Sequence, residues 1–171
     1  MKLLIISDIH GNYDVLNKII NNEDFDYLVI LGDLFSYDYN KSKSLMIIDL
    51  LKKYINKMIL IKGNCDNTIL YSNLEKYSFD IVTLPFNNKQ VTFTHGHLYN
   101  KYNMPSNHGS IIITGHTHTP SLYEEKNIVY LNPGSISYPR KSIYKTYATF
   151  TENEIVIKTV DNQIINKIKI S

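Results

Sequence analysis

The sequence has a single cysteine, Cys65, and no tryptophan. A lone thiol excludes an internal disulfide and suits a reducing compartment, so a cytoplasmic location is expected. Long hydrophobic runs are missing as well. Met1 and Lys2 are followed by only four apolar residues, Leu3 to Ile6, before Ser7 and Asp8. That run is too short for a secretory core or a membrane span. There is no excess of either charge: 18 Lys and Arg stand against 16 Asp and Glu, a net charge of +2. So small a field marks neither a nucleic-acid binder nor an anionic-membrane binder. The 14 tyrosines form no clustered stacking platform, which argues against a single-strand nucleic-acid surface. No repeat, linker or shift of composition divides the chain, and 171 residues with 43% hydrophobic content suffice for one domain, 1–171, with a real core.

What the sequence does contain is one pattern used repeatedly: a short apolar run that stops in a polar cluster, usually one containing glycine. Leu3–Ser7 runs into Asp8-Ile9-His10-Gly11, and Tyr27–Leu31 into Gly32-Asp33. Met58–Lys62 runs into Gly63-Asn64-Cys65-Asp66, and Val91–Thr94 into His95-Gly96-His97. Ile111–Thr114 runs into Gly115-His116-Thr117-His118, and Ile128–Leu131 into Asn132-Pro133-Gly134-Ser135. Continuous Ile, Val and Leu runs of this length predict strands buried on both faces. Helical spacing predicts helices over roughly Tyr13–Asn21 and over Ser44–Asn56, where Leu45, Ile48, Leu51 and Ile55 recur at three and four; a weaker helix is expected over Thr68–Glu75. The second half reads as mostly strand, ending in Ile155-Val156-Ile157 and Ile164 to Ile170, and Lys101–His108 reads as a loop beside the site. The chain therefore begins βαβα and finishes largely β, an α/β (α+β) fold.

In sheets connected this way, function gathers in loops beyond the carboxyl ends of the strands. Five of the six histidines and six of the seven glycines fall in these clusters. Histidines satisfied separately in core or surface would be scattered instead. Asp8 and His10 stand two apart, and so do His116 and His118. Carboxylate beside imidazole suits Mn²⁺, Fe²⁺ or Zn²⁺ better than Ca²⁺. Asp33 offers a second carboxylate at a strand end, and Asn64 a neutral amide oxygen. Taken singly each has an ordinary explanation in a turn; the combination points to metal.

In order the clusters spell D-x-H, G-D, G-N-C-D, H-G-H and G-H-T-H, a set that resembles the calcineurin-like metallophosphoesterases, and within them the short YfcE-type phosphodiesterases. Thr94-His95-Gly96-His97-Leu98, Asn132-Pro133-Gly134-Ser135 and the cysteine of G-N-C-D carry the closer likeness, which spans Lys2 to about Tyr138. The resemblance implies a four-layer αββα sandwich of two mixed β-sheets flanked by helices. It implies two divalent ions, Mn²⁺ foremost with Zn²⁺, Fe²⁺ or Ni²⁺ as alternatives, and no organic cofactor. One ion would be held by Asp8, His10, Asp33 and His118, and the other by Asp33, Asn64, His95 and His116. The implied reaction is hydrolysis of a small phosphodiester by in-line attack of a hydroxide bridging the ions. Relatives of this type imply a homodimer or homotetramer.

One departure concerns the chemistry. Many members of the superfamily have histidine where Cys65 stands, and a protonated thiol is a weaker donor without positive charge. His97 is then a candidate to protonate the leaving group, or else a packing residue. Asp66 would orient a neighbour or stabilise the turn, and Cys65 itself lacks the basic surroundings of a nucleophile. Arg140, the only arginine, is within reach of a substrate phosphate, although a solvated surface position is the commoner role for such a residue. Two other functions remain open: a phosphomonoesterase or nucleotide pyrophosphohydrolase with the same site, and a protein-interaction scaffold like the retromer subunit of this fold.

Overall fold

The computed structural model describes residues 1–35, 41–66 and 71–170. The apolar runs are strands, as expected: β1 (Leu3–Ile6), β2 (Tyr27–Ile30) and β3 (Met58–Ile61) lie parallel, Leu3 opposite Tyr27 and Leu28 opposite Met58. β4 (Ser78–Phe79) extends this sheet at one edge. On the other side of β1 the chain adds β10 (Thr146–Phe150), β11 (Glu154–Thr159) and β12 (Ile164–Lys169), all antiparallel, to complete seven strands in the order β12-β11-β10-β1-β2-β3-β4. A second sheet contains β5 (Ile81–Phe86), β6 (Lys89–Thr94), β7 (Ile111–Ile113), β8 (Ser121–Glu125) and β9 (Ile128–Asn132), in the order β5-β6-β7-β9-β8. Its β6, β7 and β9 run parallel, so both sheets are mixed.

Alternation along β1 and β2 assigns the core. Leu4, Ile6, Leu28 and Ile30 face the helices, whereas Leu3, Ile5, Val29 and Leu31 face the second sheet alongside Phe93, Ile111, Ile113 and Leu131. Burial on both faces is why these strands read as continuous apolar runs. Helix α1 (Tyr13–Asn22) starts where the Asn12 side chain accepts a hydrogen bond from the Val15 amide, and it buries Leu16, Ile19 and Ile20. Helix α2 covers Lys41–Lys52 and buries Ile47, Ile48 and Leu51. Leu45, expected on that stripe, is 40% exposed; the buried face is turned so that Ser44 and Ile47 take its place. Ile55 belongs to a separate 3-10 turn, Ile55–Lys57. Of the third expected helix, α3 (Ser72–Glu75) is present, and the stretch from Thr68 lies outside the described residues.

The helices α1 and α2 pack on the outer face of the larger sheet. On the smaller sheet the expected loop lies where a flanking helix could have been. Lys101 sits over the Tyr123 and Tyr130 rings and pairs with Glu125 at 2.6 Å, and the Gly109 amide donates to Thr92 Oγ1. One further polar knot joins helix, strands and N-terminus. Buried Glu23 receives Lys2 at 2.8 Å, Lys158 at 2.6 Å and the Tyr147 hydroxyl at 2.7 Å. Burial would push the Glu23 carboxyl up, but the Lys158, Lys2 and Tyr147 hydrogen bonds outweigh it and hold the pKa down at about 2.

Candidate metal centre

The parallel strands of both sheets end on the same side of the molecule, which brings the polar clusters together. Asp8, His10, Asp33 and His118 each offer a ligand atom, and these atoms lie within 4.8 Å of one another. Their backbone is unusual: Asp8, His10, Asp33, His116 and His118 all adopt left-handed φ, between 43° and 66°. Non-glycine residues seldom do so, and such strain persists only where the surroundings impose it. Here the glycines permit it. A Cβ on Gly63 would collide with the Asp33 carboxylate and amide, and one on Gly115 would collide with the Ser7 hydroxyl.

The hydrogen bonds explain how each group is aimed. His95 Nδ1 lies 2.6 Å from the Leu31 carbonyl, and His118 Nδ1 lies 2.8 Å from the Tyr138 carbonyl. A carbonyl only accepts, so each Nδ1 is the donor, and in the neutral ring Nε2 is a bare lone pair. His118 Nε2 then faces His10 Nε2 at 3.2 Å and Asp8 Oδ1 at 3.1 Å. His95 Nε2 faces Asn64 Oδ1 at 3.1 Å and Asp33 Oδ1 at 3.5 Å. Asp8 Oδ1 is buried and makes no hydrogen bond among the described residues. Lone pairs thus converge on lone pairs, an arrangement that only a proton or a cation relieves.

The electrostatics follow the same division. The His118 pKa is raised, chiefly by its contact with Asp8, and that of His95 is raised because Asp33 outweighs the opposing effect of burial. Burial lowers His10, His116 and His97. Burial also acts to raise Asp33, but His95 and the Cys65 amide, which donates at 2.8 Å, overcome it and keep the carboxylate ionised.

The remaining expected site residues sit less centrally. His116 packs its ring 5.1 Å from that of His95 and lines the open cavity, outside the tight group of four. Cys65 also lines the cavity. His97 packs edge-on against His95 at 5.2 Å; its Nδ1 is buried without a hydrogen bond among the described residues, and the ring is not among those lining the cavity. Asp66 is buried beneath the site and binds backbone. It accepts from the amides of Asp33 at 2.8 Å, Gly63 at 2.9 Å and Leu34 at 2.8 Å, which clamps the β2 and β3 loops together. Burial, with help from the nearby Asp33 charge, pushes its pKa up to about 6.

Several supporting groups were not legible as site residues. The Ser7 hydroxyl donates to Asp8 Oδ2 at 2.6 Å, and the His116 amide donates to the same oxygen at 3.1 Å. Ser135 Oγ donates to the Asp8 carbonyl at 2.8 Å and accepts from the Ser137 and Tyr138 amides. Asn132 Nδ2 donates to the Gly115 carbonyl at 2.7 Å. The Asn132-Pro133-Gly134-Ser135 stretch is thus a strap that fixes the loops carrying the ligands. Its position after an apolar run was a signal of importance, but not of this role.

His10, Asp33, Asn64, Cys65, His116 and His118 border a cavity of about 630 Å³, also reached by Arg140 and Lys141. The donor set fits divalent metal: two carboxylates, imidazoles with fixed tautomers, and an amide oxygen presented toward an imidazole. Residues 1–154 match the Calcineurin-like phosphoesterase superfamily domain. Phosphodiesterase YfcE of Escherichia coli K12 is 31% identical in an alignment covering 100% of this chain and 99% of the relative. The solved structure of that E. coli phosphoesterase superposes with a TM-score of 0.85 over 100% of both chains, at 25% identity. Vacuolar protein sorting 29 of Cryptosporidium parvum shares the fold, with a TM-score of 0.68 at 18% identity over 99% of this chain and 97% of that one.

Proposed function

The chain belongs to the calcineurin-like phosphoesterase superfamily, and on that footing we propose that it is a metal-dependent phosphodiesterase acting through two divalent ions. The convergence of imidazole Nε2 atoms and carboxylate oxygens from both sheets carries the reading. Asp8, His10, Asp33 and His118 would hold one ion, and Asp33, Asn64, His95 and His116 the other. The metal supplies Lewis acidity toward phosphoryl oxygens and an activated water as nucleophile.

The chain's own residues prepare that chemistry. The Leu31 and Tyr138 carbonyls fix two imidazoles with Nε2 toward the cavity. Ser7 and the His116 amide occupy Asp8 Oδ2, leaving Oδ1 as the free ligand atom. Asn64 contributes oxygen without charge, so the ligand set keeps enough positive charge with its metal to attract a phosphodiester monoanion. Cys65, in place of a histidine, borders the cavity without a cationic donor, which favours a diester over a dianionic monoester. His97, whose ring packs against His95 and does not line the cavity, is assigned to supporting His95, not to proton donation. Mn²⁺ is the preferred ion for mixed carboxylate and imidazole ligands. A cytoplasmic location accords with the lone thiol; among the described residues no helix is long and apolar enough to cross a membrane.

The test compares bis(p-nitrophenyl) phosphate with p-nitrophenyl phosphate under added Mn²⁺. Faster diester cleavage, abolished by a chelator and restored by Mn²⁺, is expected. Faster monoester cleavage would overturn the diester assignment, and turnover indifferent to chelation would overturn the metal.

A further inference from the structure

The cavity is lined by two cations, Arg140 and Lys141, as well as by Asn64 and Cys65. Among the described residues neither Arg140 nor Lys141 makes an ion pair, unlike Lys18, Lys43 and Lys101. The pair is also held firmly in place. The Arg140 amide donates to the His118 carbonyl at 2.9 Å, which ties it to a ligand-bearing loop. Pro139 restricts the backbone before it, and Lys141 adopts a left-handed φ of 52°, a conformation unusual for lysine. Behind them Ser135 holds the Tyr138 amide, so the whole turn is braced against the Asp8 loop. Strain and bracing beside unpaired cations describe a recognition element more than a solvated edge.

The cavity volume of about 630 Å³ lies in the range that takes a drug-sized molecule, well beyond one phosphate group. A phosphodiester whose single negative charge is met by the metal ligand set would leave two cations over. We propose that Arg140 and Lys141 form a second anion subsite, and that the substrate is a phosphodiester carrying a further phosphate on one arm. This rests on the phosphodiesterase reading above. Arginine binds such a terminal phosphate through its paired N–H donors, and Lys141 adds a point charge.

Two chromogenic esters differing only in that feature test it: thymidine 5′-(p-nitrophenyl phosphate) and the same compound bearing a 3′-phosphate. The unsubstituted chain with Mn²⁺ should favour the 3′-phosphorylated ester by about tenfold in kcat/KM, mostly through KM, as one charge-assisted contact supplies. Arg140→Gln with Lys141→Gln should reduce that ratio to about one, and Arg140→Lys alone should keep most of it. Calorimetric binding provides a readout independent of turnover. Thymidine 3′,5′-bisphosphate should bind more tightly than thymidine 5′-phosphate, and the double substitution should erase the difference. Equal kcat/KM for the two esters, equal affinity for the two nucleotides, or a preference that survives the double substitution would overturn the subsite. Absence of hydrolysis of both esters, with the binding difference intact, would sink the phosphodiesterase reading and leave the subsite standing.

Discussion

Replacing Asp66 by asparagine separates a residue that holds the site from one that takes part in the reaction. Its two oxygens are buried and accept three backbone N–H groups, at 2.8, 2.8 and 2.9 Å. An amide can present oxygen on one side only. The better choice keeps oxygen toward Asp33 and Gly63, which sets the NH₂ group against the Leu34 amide. One charge-assisted bond worth about 1.5–3 kcal/mol is lost, and a buried N–H is left unpaired at a cost of about 1–3 kcal/mol. Removing a carboxylate whose pKa is already pushed up to about 6 offsets part of this, because the buried charge was itself costly. The expected net loss is about 2–4 kcal/mol, read as a lower urea midpoint with an unchanged slope. Metal affinity should weaken with it, because the bond kept to the Asp33 amide loses its charge assistance and the neighbouring Leu34 amide loses its partner. A variant as stable as the parent within about 0.5 kcal/mol, yet slowed a hundredfold at saturating metal, would make Asp66 a reacting group and refute the clamp.

Ser135→Ala removes one donated and two accepted hydrogen bonds at the loop that carries the Tyr138 carbonyl; metal affinity should fall about 10- to 100-fold by equilibrium dialysis, as loss of an orienting group does. Gly63→Ala should abolish metal binding and lower the melting temperature, since its methyl group would occupy the place of the Asp33 carboxylate. Glu23 has a folded pKa of about 2, below its ordinary 4.5, so its stabilisation is complete above about 4.5 and is lost as pH falls through about 2. Glu23→Gln should cost about 3 kcal/mol near neutral pH by leaving Lys2 and Lys158 without their partner, and should flatten the acid limb of the stability profile measured in urea. Because the His95 and His118 pKa values are raised, protons compete with metal, and Mn²⁺ affinity measured by titration should decline as pH falls through their titration.

The early chain was legible because its strands are buried on both sides and its helices are not. Leu3–Ile6 and Tyr27–Ile30 announce themselves as apolar runs, and the polar residues after them are conspicuous. The strands that escaped notice carry other signals. β10 is fully buried yet reads Thr-Tyr-Ala-Thr-Phe, with no aliphatic run, and β8 is an edge strand ending in two glutamates. Pro85 obscures β5, an edge strand where proline is tolerated. At the site, residue types and spacing revealed the candidate ligands, since few alternatives account for D-x-H and H-x-H at strand ends. The carbonyls of Leu31 and Tyr138 could not be found that way, because a backbone acceptor has no letter in the sequence. Nor could the register of α2, where Leu45 and Ile47 compete for the buried face and tertiary packing decides.

The facing imidazoles of His10 and His118 belong to different sheets and stand 108 positions apart in the chain. An ion shared between them would fasten the first strand loop to the far half of the molecule, much as a covalent bridge would. By loop-closure entropy a cross-link over such a span is worth about 4–5 kcal/mol. A protein whose lone thiol rules out any internal sulfur bridge thus has a reversible rivet available, tightened or released by the concentration of free cation around it.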